Sequence, residues 1–195
     1  MINPFDFYFD FISPYSFLAH KEIKKIENQE SIKIKYKPIL LGGLHNLHGI
    51  KAPAFIPAKA KHMIRDCKLI AEKNNIKFKF NSYFPIRSLN LMRGVLVAEE
   101  DNIKNYYIDN IFNTIWQDGL NMNDDIIIQK VLKNLNINPK TFFLRSTSSL
   151  IKDSLRNKTS DAYKKGIFGS PTFVVNNRIF WGQDRLEFAL NEAMK

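Results

Sequence analysis

Apolar residues alternate along positions 5–11. Phe5, Phe7, Phe9 and Phe11 fall on one face and Asp6, Tyr8 and Asp10 on the other, a period of two that predicts a strand. Ile32-Lys33-Ile34-Lys35-Tyr36-Lys37 repeats the signal and predicts a second strand. Between them 14–30 reads as a helix, with Ser13 suited to the N-cap and Pro14 to the first helical position. From about 42 to 166 the period becomes helical. Met63, Ile64, Cys67, Ile70 and Ala71 form one stripe of a helix over 58–73. Ile103, Tyr107, Ile108, Ile111, Phe112 and Ile115 do the same over 102–117, where Asp101 suits the cap. Further helices are predicted over 88–100, over 125–135 after Asp124, over 139–156 from Asn138-Pro139, and over 159–165 with Gly166 as the stop. Thr172–Val175 and Arg178–Trp181 then flank Asn176-Asn177, residues that accept the positive φ of a tight hairpin, and 184–194 closes the chain as a helix. Strand, helix, strand, a helical block, hairpin and helix describe an α/β core interrupted by an all-helical insertion.

Length and composition narrow the class. A chain of 195 residues, 45% of them apolar, suits one domain or one core with a large insertion and excludes a disordered or low-complexity protein. The net charge of +10 raises an anionic partner, but it comes from 22 Lys against 7 Arg, beside 24 Ile and 20 Asn, all residues with A/T-rich codons. Arginine, the better bidentate reader of phosphate and guanine, is scarce, and no basic tail exists, which argues against nucleic acid. The densest basic stretch is 59–79, starting at Lys59. A single cysteine excludes an intrachain disulfide or a CxxC pair, and Cys67 lies on an apolar stripe, as a core residue would. The start, MINPFDFYFDFI, contains Asp6 and Asp10 and no basic leader, so it does not read as a signal peptide; no apolar run approaches the ~20 residues of a membrane span. A cytoplasmic protein is expected.

Special residues concentrate in two places. Ser13-Pro14-Tyr15-Ser16 stands where the first strand meets the first helix, and a helix N-terminus offers free N–H groups and a positive dipole end that favour a thiolate or another anion. Ser13 is either a plain cap or a hydroxyl donor aimed at such an anion. Gly169-Ser170-Pro171-Thr172 precedes a strand, where a proline marks either a tight cis turn or an ordinary loop. His45-x-x-His48 has the spacing of a metal pair but no cysteine or carboxylate accompanies it, so no metal is expected.

Taken together, Phe9-Asp-Phe-Ile-Ser-Pro-Tyr-Ser16, Pro53-Ala-Phe-Ile-Pro-Ala-Lys59 with Arg65-Asp66, Gly166-Ile-Phe-Gly-Ser-Pro-Thr172 and Phe180-Trp-Gly-Gln-Asp-Arg-Leu-Glu187 resemble the 2-hydroxychromene-2-carboxylate isomerases, glutathione-dependent relatives of the kappa-class glutathione transferases and of the DsbA family. The resemblance runs through essentially the whole chain in order. It implies a thioredoxin-like domain made of 1–41 and 167–195, with a helical insertion domain at 42–166. Where redox members of this fold keep a CxxC, this chain has serine at both outer positions, so it cannot exchange disulfides itself.

The resemblance also implies a tripeptide site. Ser13 would hydrogen-bond the glutathione sulfur and favour its thiolate. The backbone of Ser170, before Pro171, would pair with the cysteinyl unit like an added strand. Asp184 would receive the γ-glutamyl ammonium with Gln183 beside it, and Lys59 a glutathione carboxylate. Arg87 and Asn90 are candidates for the carboxylate or carbonyl of a small aromatic keto acid, and Arg93 is either a further such contact or an ordinary surface arginine. Two positions depart from the family: Ile50, followed by Lys51, stands where relatives commonly carry an asparagine, and an apolar side chain cannot replace an amide contact, so either Lys51 compensates or that contact is absent; Ser170 stands where isomerases often have an aliphatic residue, a change that a backbone contact survives. Trp181 leans toward the isomerases. The expected partners are glutathione and the keto acid, without nucleic acid or membrane, and a homodimer is compatible with the family. Rival readings are a kappa-like transferase or peroxidase acting on other electrophiles, a thiol-ligand or protein-binding module without catalysis, and a basic nucleic-acid protein.

Overall fold

Four strands form one mixed sheet in the order β2-β1-β3-β4: β1 (Phe5–Phe9), β2 (Ile34–Pro38), β3 (Thr172–Val175) and β4 (Arg178–Trp181). The structure, a computed structural model, describes residues 3–29 and 32–195. Helix α1 (Pro14–Gln29) carries the chain from β1 to β2, which pair in parallel with Phe7 opposite Tyr36. β3 returns antiparallel to β1, and β4 pairs with β3 through a hairpin. Asn176 and Asn177 both have positive φ, 48° and 63°, as a turn matched to strand twist requires. Between β2 and β3 run seven helices: α2 (Leu41–His48), α3 (Pro57–Lys73), α4 (Leu89–Glu100), α5 (Lys104–Trp116), α6 (Asp125–Asn134), α7 (Pro139–Ser146) and α8 (Ser149–Lys164). A 3-10 turn, Gln183–Arg185, leads into α9 (Leu186–Ala193).

The alternation in β1 sets the layers. Phe5, Phe7 and Phe9 enter a core cluster that continues into the helical block through Tyr107, Phe112 and Trp116. Tyr8, on the opposite face, is covered by Ile39, Leu44, Ala162 and Ile167. Both faces of the central strand are therefore buried. Within the first layer, His20 is sealed under the helices with Nε2 3.0 Å from Asp109 and Nδ1 2.9 Å from the Tyr36 hydroxyl; burial pushes its pKa down while Asp109, paired with it and with Lys21, is held below the usual carboxylate range.

Several boundaries differ from the pattern-based expectation, each for a local reason. β1 stops at Phe9 because Asp10 turns the chain with its side chain; Phe11 still points inward, fully buried, against Tyr107 and Phe112. β2 lies one to two residues later than 32–37. The expected helices over 139–156 and 159–165 are instead α7 and α8, broken at Thr147-Ser148. The Thr147 hydroxyl donates back to the Phe143 carbonyl, and Ser148 Oγ caps the next helix by accepting from Ile151 N–H. α8 then runs unbroken to Lys164, with Gly166 at a positive φ just beyond it, so the separate short helix does not exist. Asp101 does not cap α5: it ends α4, Ile103 precedes α5 without a side-chain cap, and the Asp101 carboxylate takes the Arg145 guanidinium at 2.8 Å. The chain 184–194 opens as the 3-10 turn before becoming α9.

α4 is apolar on nearly all sides and packs closely through Gly94, where an added Cβ would collide with Phe142 Cζ and Tyr107 Oη. Alanine gains up to ~1 kcal/mol of helix propensity, but overpacking of a filled core costs roughly 1–3 kcal/mol, so Gly94→Ala is expected to lower the urea midpoint of unfolding. An unchanged or higher midpoint would mean that α5 and α7 yield freely at this contact.

Candidate active site

The turn from β1 into α1 is fixed from three directions. Asp10, completely buried, accepts from Ile12 N–H at 3.0 Å through one oxygen and from Leu41 N–H at 2.7 Å through the other. Burial pushes its carboxyl pKa up, opposed by those two N–H groups and by the Ser88 hydroxyl. The Phe11 carbonyl accepts from Trp116 Nε1 at 2.9 Å, and Phe11 N–H points at Met92 Sδ, 3.4 Å away. Asp10 thereby joins the start of α2 to the residues just before Ser13, and Met92 brings α4 to the same turn. Its role was not anticipated; the signal was an acid placed inside an apolar run, next to a Ser-Pro helix start.

Ser13 occupies the N-cap of α1 and its hydroxyl makes two bonds. It accepts from Ser16 N–H at 3.1 Å and donates to the Ser170 carbonyl at 3.0 Å, across the sheet from the other end of the chain. The Ser170–Pro171 peptide is cis. Ser13, Ser170 and Pro171 are thus brought together, while the cap and the donor readings of Ser13 coexist in one side chain. Two further buried hydroxyls, Ser16 Oγ and Ser170 Oγ, have no hydrogen-bond partner among the described residues. Buried polar groups are ordinarily satisfied, so this pair marks a place suited to a polar ligand.

The loop after Ser170 is tied to the end of β4. Gly182 N–H donates to the Pro171 carbonyl at 3.0 Å, and the Thr172 hydroxyl to the Gly169 carbonyl at 2.7 Å. Trp181 is half exposed and packs on Phe168 at a tilt, with ring centroids 4.8 Å apart. A Cβ at Gly169 would stand 2.5 Å from Trp181 Nε1, so only glycine lets the indole lie over this loop. Gln183 and Asp184 follow on the 3-10 turn; Asp184 is exposed and lies 3.4 Å from Arg185.

α3 is pinned to α1 by the Tyr15 hydroxyl, which donates to Asp66 at 2.8 Å, and by burial of Met63, Cys67 and Ala71. Lys59 is exposed on its first turn. Cys67 is fully buried, with its thiol pushed up to about 12, inert as a nucleophile. Ile50 and Lys51 lie in the loop after α2, a helix that the sequence pattern did not reveal because Gly42-Gly43 interrupt it. His48 on α2 donates to the Ile167 carbonyl at 2.9 Å and packs on Tyr163.

The candidate substrate residues lie just before α4 and on its first turns. Arg87 is exposed, and its guanidinium donates to the Asn123 carbonyl at 2.9 Å. Asn90 and Arg93 face one another on the first turns of α4. Among the described residues no helix is long and apolar enough to cross a membrane.

Comparison with known proteins bears on the fold and the family. The chain is 28% identical over 192 residues to the 2-hydroxychromene-2-carboxylate isomerase of Sphingobium xenophagum, covering 96% of each. It is 23% identical to glutathione S-transferase kappa 1 of Rattus norvegicus, across 93% of this chain and 87% of that one. A solved 2-hydroxychromene-2-carboxylate isomerase superposes with a TM-score of 0.87 at 25% identity, covering 98% of this chain and 94% of that one. The model of the DSBA-like thioredoxin domain matches residues 5–194. With its thioredoxin-like α/β core and helical insertion, and with serines at both ends of the α1 motif, the chain belongs to the DSBA-like thioredoxin domain family.

Proposed function

We propose that this protein is a glutathione-dependent cis-trans isomerase that interconverts 2-hydroxychromene-2-carboxylate and trans-o-hydroxybenzylidenepyruvate, or a related conjugated keto acid. The observation that carries the reading is the Ser13 hydroxyl, held at a helix N-terminus and aimed across at the backbone before a cis proline, with two orphaned hydroxyls beside it. The isomerase relatives, similar over nearly the whole length, support it.

Bound glutathione would supply a thiolate that adds to the conjugated carbon, leaving a single bond free to rotate, and departs again to restore the double bond in the other geometry. The protein's share is electrostatic and geometric. Ser13 Oγ keeps Ser16 N–H as its donor partner and turns its proton from the Ser170 carbonyl to the sulfur, so the α1 N-terminus and one hydroxyl both favour negative charge there. That turn also frees the Ser170 carbonyl to pair with a peptide group, as the strand-like docking at Ser170-Pro171 needs. Asp184, with Gln183 beside it, takes the ammonium end; Lys59 takes a carboxylate; Arg87 and Asn90 face the keto acid. The exposed Ile50 side chain offers no polar contact, so these remaining groups carry the binding.

Glutathione at ten times its Kd is expected to stabilise the fold by about 1.4 kcal/mol, a rise in Tm of roughly 3–6 °C, and to be required for conversion of the chromene acid followed by absorbance. Absence of both effects at millimolar glutathione would overturn the reading. Conversion of other electrophiles without the chromene acid would favour a kappa-like transferase, a class also represented among the relatives.

A further inference from the structure

Asp10 is out of keeping with its place. It is the first residue beyond β1, completely buried, at the point where β1 and β2 leave the sheet side by side. There Phe9 stands opposite Pro38, and the Phe9 carbonyl accepts from Ile39 N–H at 3.1 Å. An apolar side chain would fill this space without the desolvation cost of a carboxyl, and among the described residues no basic side chain pairs with Asp10 to offset that cost. Its partners are backbone N–H groups at two helix starts. One side-chain oxygen takes Ile12 N–H at 3.0 Å and the Asp10 carbonyl takes Ser13 N–H at 3.1 Å, which closes the turn that enters α1. The other side-chain oxygen takes the N–H of Leu41, the first residue of α2, at 2.7 Å.

α2 has little else to fix its start. It is eight residues long, Gly42 and Gly43 weaken it, and Leu40 at its N-cap offers no side-chain acceptor. Two acceptors from elsewhere in the chain replace the cap: Asp10 on Leu41 N–H, and Thr159 Oγ1 of α8, which takes Leu40 N–H at 3.0 Å. Beyond α2 the chain passes Ile50, Lys51 and the 3-10 turn Pro53–Phe55 into α3, which carries Lys59 and is tied back to α1 through Tyr15 and Asp66. Residues 41–66 are therefore held at both ends by the short segment 10–15, which contains Ser13.

We propose that Asp10 is a positioning residue: one carboxyl group locks the Ser13 turn and the start of α2 at a fixed spacing, so that a ligand whose sulfur meets Ser13 finds the 49–59 segment already in place. The lock stands on hydrogen bonds within the chain; that its ligand is glutathione rests on the reading above. Two oxygens taking N–H groups from two elements fix both a direction and a distance, which a side chain with one acceptor cannot do. A hydroxyl acts on a sulfur only within hydrogen-bond reach, so a small drift of the Ser13 turn against residues 41–66 costs the sulfur contact before it costs the rest of the ligand.

The test compares glutathione with S-methylglutathione, which forms no thiolate, each titrated calorimetrically into the intact protein. The wild type is expected to prefer glutathione at least about tenfold, the worth of one hydrogen bond to a charged group. Asp10→Asn keeps the size and one acceptor. It should bind S-methylglutathione within about threefold of wild type while its preference for glutathione falls to about threefold or less. Leu41→Pro cuts the same bond from the other side, at a first helical position that accepts proline after an extended Leu40, and should lose the preference equally. Thr159→Val loosens the start of α2 without touching Asp10 and should keep the preference. An undiminished preference in either folded lock variant overturns the proposal, and so does an equal loss in Thr159→Val, which would make Asp10 one support of α2 among others. If the wild type binds both ligands equally, or neither, the glutathione reading falls and hydrogen exchange on the ligand-free protein decides the lock. Leu41→Pro should then lower the protection of the Ile12 and Ser13 amides, on the far side of the severed bond, and unchanged protection there overturns it.

Discussion

Ser13→Ala is expected to lower kcat/KM for glutathione-dependent isomerisation at pH 7 by about 10- to 100-fold, the equivalent of one hydrogen bond to a charged group. A thiol with an ordinary pKa near 8.5 is only a few per cent ionised at neutral pH, so the loss of stabilisation appears as loss of the reactive species. The sign with pH follows: raising the pH ionises the thiol unaided, and the deficit of the variant should narrow as pH climbs past that value. Because the same oxygen caps α1, alanine should also cost about 1 kcal/mol of stability, roughly 2–4 °C in Tm for a chain of this size. Ser13→Gly separates the two roles, since glycine at an N-cap costs only a few tenths of a kcal/mol. Both variants should be equally slow while only the alanine variant melts earlier. If kinetics follow stability instead, with the glycine variant near wild-type rate, Ser13 acts as a cap alone.

The contrast between what sequence revealed and what it hid has a physical pattern. Features written in one segment were legible: the β1 alternation, the Ser13-Pro14 start, the Asn176-Asn177 turn and the apolar stripes of α3 and α5. Residues whose meaning depends on a distant partner were not. Asp101 looks like a cap by position, but Arg145, 44 residues later, claims its carboxylate. Ser146-Thr-Ser-Ser149 is compatible with a continuous helix until the hydroxyls choose backbone partners that divide it. The same division applies at the site. Ser13 and Pro171 were singled out by short motifs, whereas Asp10, which ties its own turn and the start of α2 through separate oxygens, is visible only once the chain is folded.

Trp116→Ala should have the largest effect on stability, because one side chain serves both the core and the site. The indole is fully buried, stacks on Phe78 with centroids 6.1 Å apart and meets Phe80 edge-on at 5.6 Å, while its backbone carbonyl accepts from Lys79 N–H. It thereby holds the irregular segment between α3 and α4 against α5. Truncating such a ring costs roughly 3–5 kcal/mol, a fall of about 6–20 °C in Tm. Its Nε1 also holds the Phe11 carbonyl, two residues before Ser13. Trp116→Phe keeps an aromatic ring and removes that donor, leaving a buried carbonyl unpaired at about 1–3 kcal/mol. The phenylalanine variant should therefore melt between wild type and the alanine variant, and bind glutathione less tightly than its stability at the assay temperature accounts for, because the Ser13 turn has lost a tether. A Trp116→Ala protein melting within two degrees of wild type would show that the aromatic cluster does not hold this segment; a Trp116→Phe protein with unchanged glutathione affinity would show that Asp10 alone sets the Ser13 turn.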